Sequence, residues 1–186
     1  MIRSIVAYGD PVLRKAGTEI SKDYPELDQL IDDMFETMYR ADGVGLAAPQ
    51  IGLSIRLFVI DGTPYADEDE AAADLKGAFI NPIIRSEEGE LWKLGEGCLS
   101  IPRLREDVSR KETIHIEYYD RDWNFRKETY SGVPARIIQH EYDHIEGMLF
   151  IDRISPLRRR LLQKRLDDIS KGKVSVDYKM RFPIRK

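Results

Sequence analysis

The segment His140-Glu141-Tyr142-Asp143-His144 restricts what this 186-residue chain can fold into more than any other. Its flanks, Ile137, Ile138, Ile145 and Met148, have helical spacing and predict that the helix carrying it is buried. Residues four apart lie on one helical face. His140 and His144 can therefore aim both imidazoles at one ion, while Glu141 lies beside it, placed to take a proton from bound water without ligating the metal. Solvent-exposed matches to this five-residue pattern occur by chance on ordinary helices. Two histidines and a glutamate inside a core need polar partners, and a metal ion supplies them.

Such a helix needs a core around it, and the chain has the material for one. With 42% hydrophobic and 33% charged residues over this length, residues 1–186 are expected to form a single soluble domain. Residues 25–41 place Leu27, Leu30, Ile31, Met34, Phe35 and Met38 along one stripe, predicting an amphipathic helix that ends before Gly43. Segments 56–60 and 78–84 read as strands. Residues 112–120 alternate Ile114, Ile116 and Tyr118 against His115, Glu117 and Tyr119, and Asp120–Asn124 turns them into a second strand at 125–130. Pro134 is expected to open the central helix, with Ile137, Ile138, Ile145, Met148 and Leu149 as its apolar positions. A last helix starts at Ser155-Pro156 and carries Leu157, Leu161, Leu162, Leu166 and Ile169 on one side. Strands and helices do not alternate regularly. The expected class is therefore α+β, with mixed or antiparallel sheets packed around the central metal-binding helix, an N-terminal amphipathic helix and a C-terminal helix.

Several function classes are excluded. No segment approaches the roughly 18 apolar residues of a membrane helix, and the first residues resemble neither a signal nor a transit peptide. Cys98 is the only cysteine, which fits a reducing compartment, so a cytoplasmic protein is expected. The net charge of −4 predicts no general affinity for DNA. Residues 157–186, the basic C-terminal helix and tail, nevertheless hold eleven Lys/Arg against three Asp/Glu. That excess reads either as a solvated face or as a docking surface for a polyanion.

A catalytic metal needs a third protein ligand and an open position. Phe150 occupies the position of a third histidine in the metzincin spacing. Asp167 and Asp168 fall on a basic, exposed helix, and His115 on the polar side of its strand. Cys98 remains, in Gly95-Glu96-Gly97-Cys98-Leu99-Ser100, where its alternative role is that of a small buried hydrophobe. A Cys/His/His set would suit zinc or another borderline-soft divalent ion. Residues 43–50, GVGLAAPQ, satisfy a dinucleotide fingerprint formally, but a helix precedes them and Pro49 follows. They read instead as an extended glycine-rich edge that another backbone can approach, ending in the amide of Gln50.

Together and in this order, GVGLAAPQ, EGCLS (96–100) and QHEYDH (139–144) resemble peptide deformylase, and the likeness runs from Asp10-Pro11-Val12-Leu13-Arg14 to about Ser170. The resemblance implies a hydrolase that removes the formyl group from the N-formylmethionine of nascent polypeptides and releases formate. It implies Cys98, His140 and His144 as metal ligands and Glu141 as general base. Gln50 and the Leu99 N–H would face the oxyanion, with Gly45 beside the substrate and Val44, Val133 and Ile137 around the methionine side chain. The implied cofactor is Fe2+, with Zn2+, Ni2+ or Co2+ as substitutes. In related bacterial enzymes the C-terminal helix is associated with ribosome binding, so a ribosome contact through the basic C-terminal region is also implied. The acidic segment 66–74 and the tail 173–186 match no motif of the family. Two rivals make different predictions. A metallopeptidase of another HExxH family would cut unformylated peptides and be indifferent to Cys98→Ala, whereas a non-catalytic ribosome-associated protein would keep the metal for stability alone.

Overall fold

One long hairpin dominates the computed structural model, which describes residues 1–183. Its arms are β4 (Lys76–Cys98) and β5 (Ile101–Tyr119), joined by a turn of two residues, Leu99 and Ser100. At its open end the hairpin is extended into a five-stranded antiparallel sheet in the order β2-β3-β4-β5-β6, where β2 is Gly45–Ala47, β3 Leu57–Asp61 and β6 Phe125–Ser131. Register shifts at Ile80/Ile83, Ile84/Ser86, Glu88/Leu91 and Gly97/Cys98 interrupt the ladder. Such irregularities bend and twist a ribbon, which lets one hairpin serve both a sheet and the far side of a helix. The strands expected at 78–84 and 112–120 are therefore the open-end portions of much longer ones. Charged stretches such as Glu87–Glu90 hid the rest, because that part of the hairpin faces water.

α1 (Leu27–Arg40) buries Leu27, Leu30, Ile31, Met34 and Met38, as its stripe predicts, against Leu46, Leu57, Val59 and Ile80. α2 (Gly132–Ile145) lies on the sheet's other face, packing Val133, Ala135, Ile137, Ile138 and Ile145 on Phe58, Ile60, Phe79, Ile114 and Ile116. It is shorter than its apolar pattern suggested. Met148 and Leu149 lie beyond its last turn, and the buried Leu149 belongs instead to a third cluster with Phe150 and Ile151. That cluster joins Ile101, Leu104 and Val108 of β5 to Leu162, Leu166 and Ile169 of α3 (Pro156–Ser170). Ser155 caps α3 by accepting a hydrogen bond from the Arg158 N–H at 3.2 Å. Leu157 and Leu161, expected on its buried side, are 68% and 65% exposed. The apolar stripe of α3 is narrow, and only the 162/166/169 row reaches the core.

Beyond α3 the chain returns across the domain. β1 (Ile5–Val6) and β7 (Met180–Arg181) pair in parallel as a separate two-stranded sheet. Among the described residues, no helix is long and apolar enough to cross a membrane.

Candidate metal centre and active site

α2 begins at Gly132, whose φ of 64° suits glycine, and its N-terminus is capped from an unexpected place. Ser131 makes no side-chain cap. Asp69, from the acidic segment between β3 and β4, accepts the Val133 N–H at 3.0 Å. A carboxylate there satisfies an orphan donor and complements the helix dipole. The 66–74 segment thus has a structural task that no local sequence signal announced.

One turn apart on α2, His140 and His144 bring their rings to 5.1 Å between centroids. Cys98, at the last position of β4, places Sγ 3.3 Å from His144 Nε2. Among the described residues, Cys98, His140 and His144 are the His, Cys, Asp or Glu donors close enough to share one ion, with ligand atoms within 4.8 Å of one another. Asp167 and Asp168 are not part of the group. His115 bonds instead to Glu88 at 2.7 Å and Thr129 at 2.8 Å on the sheet's outer side. One thiolate-forming sulfur and two imidazoles, close-set and facing a cleft, fit a borderline-soft divalent ion with a position left open. Burial, reinforced by the neighbouring His140, holds His144 well below the usual imidazole range, so it is a neutral donor.

Behind the ligands lies a buried charge network. Glu96 Oε2 meets His140 Nδ1 at 2.9 Å, which fixes that ring and leaves Nε2 for the cleft. Arg110 forks onto Glu96 at 2.6 and 2.9 Å and reaches Asp143 at 2.8 Å, while Arg136 adds a bond to Glu96 at 2.9 Å. Arg153 closes on Asp143 at 2.6 and 2.5 Å. Burial works against the Glu96 charge, but the bonds from Arg110 and His140 hold its carboxyl well below the usual range. Sequence reading quoted Glu96 and Asp143 within motifs without giving them roles, and missed Arg110 and Arg136 altogether. Arg136 stands out as a charge in the apolar run 133–138, whereas Arg110 lies among other charged residues and gave no signal.

Glu141 is 4% exposed. Burial pushes its carboxyl up to about 7, with the negative charges of Glu96 and Asp143 adding to the shift against His140. Its Oε2 has no hydrogen-bond partner within the protein, as expected of a group that addresses something bound in the cleft. Gly45 is what allows it there, since a Cβ at that position would overlap Glu141 Oε1. Gln50 accepts the Ala47 N–H through Oε1 at 2.9 Å, which turns its NH2 toward Ser100 Oγ at 3.3 Å and Cys98 Sγ at 3.5 Å. The donor end of that amide therefore points at the ligand group.

These residues open on a cleft of about 460 Å3. Val44, Val133 and Ile137 line it with Gly45, Gln50, Leu99 and Glu141, joined by Tyr65 and by Val176–Tyr178 of the C-terminal segment. Nine of the ten residues that the resemblance implies line this cleft, and the tenth, His144, joins them beside Cys98 and His140. Tyr65 and the tail are additions.

The polypeptide deformylase family model matches residues 2–160. A peptide deformylase from Christiangramia forsetii is 57% identical over 98% of this chain and 97% of its own length, and one from Flavobacterium johnsoniae 56% identical over 100% and 98%. Among solved structures, a peptide deformylase from Legionella pneumophila superposes with a TM-score of 0.80 at 39% identity, covering 93% of this chain and 98% of that one. One from Thermotoga maritima gives 0.75 at 40% identity, over 84% and 99%.

Proposed function

Because the chain belongs to the polypeptide deformylase family, a family of hydrolases, we propose that it is a metal-dependent enzyme that cleaves the formyl group from N-formylmethionyl nascent peptides and releases formate. The observation that carries the reading is the buried Glu141 carboxyl, with Oε2 lacking a partner in the protein, beside a Cys98/His140/His144 donor set. Those three residues would hold one divalent ion, Fe2+ by family likeness with Zn2+, Ni2+ or Co2+ as substitutes. Bound there, the ion would acidify a water and polarise the formyl oxygen.

The chain's own residues do the rest. Glu141 accepts the proton of the attacking water and delivers it to the departing amine nitrogen as the C–N bond breaks. Gln50 Nε2 and the Leu99 N–H donate to the formyl oxygen as negative charge gathers on it. The methionine side chain enters the apolar wall of Val44, Val133, Ile137 and Tyr65. The peptide backbone extends along the Gly43–Gly45 edge as an added strand, and the closeness of Gly45 to Glu141 keeps the formyl group near the base. A wall tight around the formyl hydrogen would exclude acetyl.

The protein would act in the cytoplasm, and its exposed, basic α3 would contact the ribosome. Formate release from a formyl-Met tripeptide, by protein purified without oxygen, tests the reaction. Turnover that requires both Glu141 and the formyl group supports the reading. Absence of turnover from folded, metal-loaded protein would sink it.

A further inference from the structure

The segment after α3 is tied down before and after residues 176–178. Arg165 donates to the Arg103 carbonyl at 2.6 Å, and Arg103 Nε donates in turn to the Ser175 carbonyl at 2.7 Å. Five residues on, β7 is bound to β1, with the Ile5 N–H on the Lys179 carbonyl at 2.8 Å and the Ala7 N–H on the Arg181 carbonyl at 2.9 Å. Between these anchors Val176, Asp177 and Tyr178 form part of the cleft wall, and the half-buried Tyr178 hydroxyl donates to the Leu99 carbonyl at 2.8 Å.

That carbonyl belongs to a turn with little support of its own. The β4–β5 ladder pairs Cys98 with Ile101, leaving Leu99 and Ser100 outside it. Polar backbone groups so placed need partners from elsewhere, and both carbonyls find one. The Ser100 carbonyl accepts the Tyr8 N–H at 2.8 Å, and the Leu99 carbonyl accepts the phenol. Gln50 meets Ser100 Oγ, and the Leu99 side chain lies so close to Gly43 that a Cβ there would come within 2.8 Å of Cδ1. The turn that places Leu99 in the cleft wall is thus held from four directions, one of them the C-terminal strap.

We infer that Tyr178 is a positioning residue for deformylation: by holding the Leu99 carbonyl, it restrains the Leu99 backbone and with it the preceding Cys98–Leu99 peptide unit, whose N–H stabilises the developing oxyanion. The inference rests on the function proposed above. A donor aimed in advance at charge that appears only in the transition state contributes to turnover rather than to substrate binding. Loosening it therefore lowers kcat and leaves KM in place.

Tyr178→Phe keeps the ring and its packing and removes the hydroxyl. Steady-state kinetics on a formyl-Met tripeptide, normalised to folded, metal-loaded sites, should show kcat about 5-fold lower, the factor of one ordinary hydrogen bond. KM should stay within about 2-fold and the melting temperature should not change. Tyr178→Ala should lower kcat at least as far. If Tyr178→Phe matches the wild type in kcat, or if its deficit vanishes once folded sites are counted, the strap is a structural tie only and the inference is overturned. Wild-type protein that releases no formate overturns the functional reading, and the positioning role falls with it. Active wild type with an equally active phenylalanine variant overturns the positioning role alone.

Discussion

Helices α2 and α3 are nearly equal in length, at fourteen and fifteen residues, and only a short connection separates them. Their environments are opposite. α2 buries eleven residues, among them Arg136, Gln139, Glu141, Asp143 and His144, whereas α3 buries Leu162, Leu166 and Ile169 alone. Every charge on α2 has a specified neighbour or a specified lack of one. On α3, Arg158 and Arg159 make surface pairs with Glu106 and Asp152, and Arg160 and Lys164 face water. Single side chains in a dry environment carry large, separable effects, while exposed charges act weakly and together. Chemistry should therefore be lost by one substitution on α2, and no single substitution on the outer face of α3 should be felt.

Glu141→Gln makes the sharpest test of that contrast. Removing a general base should cut turnover by about 10²- to 10⁴-fold. The fold should not suffer, because the carboxylate it replaces is buried with one oxygen unpartnered. Formate release and a thermal melt on the same sample check both halves. A melting temperature that falls along with activity would make Glu141 a structural group and erase its distinction from its neighbours.

The neighbours should behave in the opposite way. Glu96→Ala strips Arg136 of its carboxylate partner and leaves Arg110 with Asp143 alone, both arginines nearly inaccessible, and breaking a buried pair from one side costs about 3–5 kcal/mol. Urea unfolding should show that loss. Glu96→Gln, a milder change, should weaken metal retention about 10- to 100-fold through the misoriented His140 ring, measured by competition with a chelator. Metal retention equal to wild type in the glutamine variant would show that Glu96 only neutralises arginines. Lower still in expected effect, Val44→Asp puts a charge into the apolar wall and should reduce kcat/KM on formyl-Met peptides by about 10-fold or more, mainly through KM. Unchanged kinetics would remove Val44 from the methionine pocket.

The same contrast decides what could be read from the sequence. α2 was legible because its chemistry is local: histidines at i and i+4, a glutamate between them, and apolar flanks specify face and burial together. Cys98, Gln50 and Gly45 lie far away in the chain and were placed by resemblance. The physical reason for Gly45, the approach of Glu141, appears only when β2 meets α2. Asp69 as a helix cap, Arg110 as the bridge from Glu96 to Asp143, and the Tyr178 strap over Leu99 are products of tertiary structure with no periodic signal. On α3 the error was of another kind. Leu157 and Leu161 fit a helical stripe in sequence, but the facing cluster of Ile101, Leu104 and Phe150 is only wide enough for the row through Leu162 and Leu166. Periodicity gives a face, and the partner surface sets its width.

That narrow contact shapes the last test. Cutting the chain after Ser155 would remove Leu162, Leu166 and Ile169 from the third cluster and confuse docking with folding. Leu166→Ala alone should cost about 2–5 kcal/mol. The outer face can be changed separately. Leu157→Ser, Leu161→Ser, Arg160→Glu and Lys164→Glu should each shift stability by no more than about 0.5 kcal/mol, with kinetics on short peptides unchanged. If α3 contacts the ribosome through its basic face, the two charge reversals together should lower co-sedimentation with ribosomes, most clearly at low salt, where attraction to a polyanion is strongest. Co-sedimentation equal to wild type would reduce the basic charge of α3 to a solvated surface. Loss of short-peptide activity in the same variants would break the contrast itself, because it would show that the exposed helix communicates with the buried one.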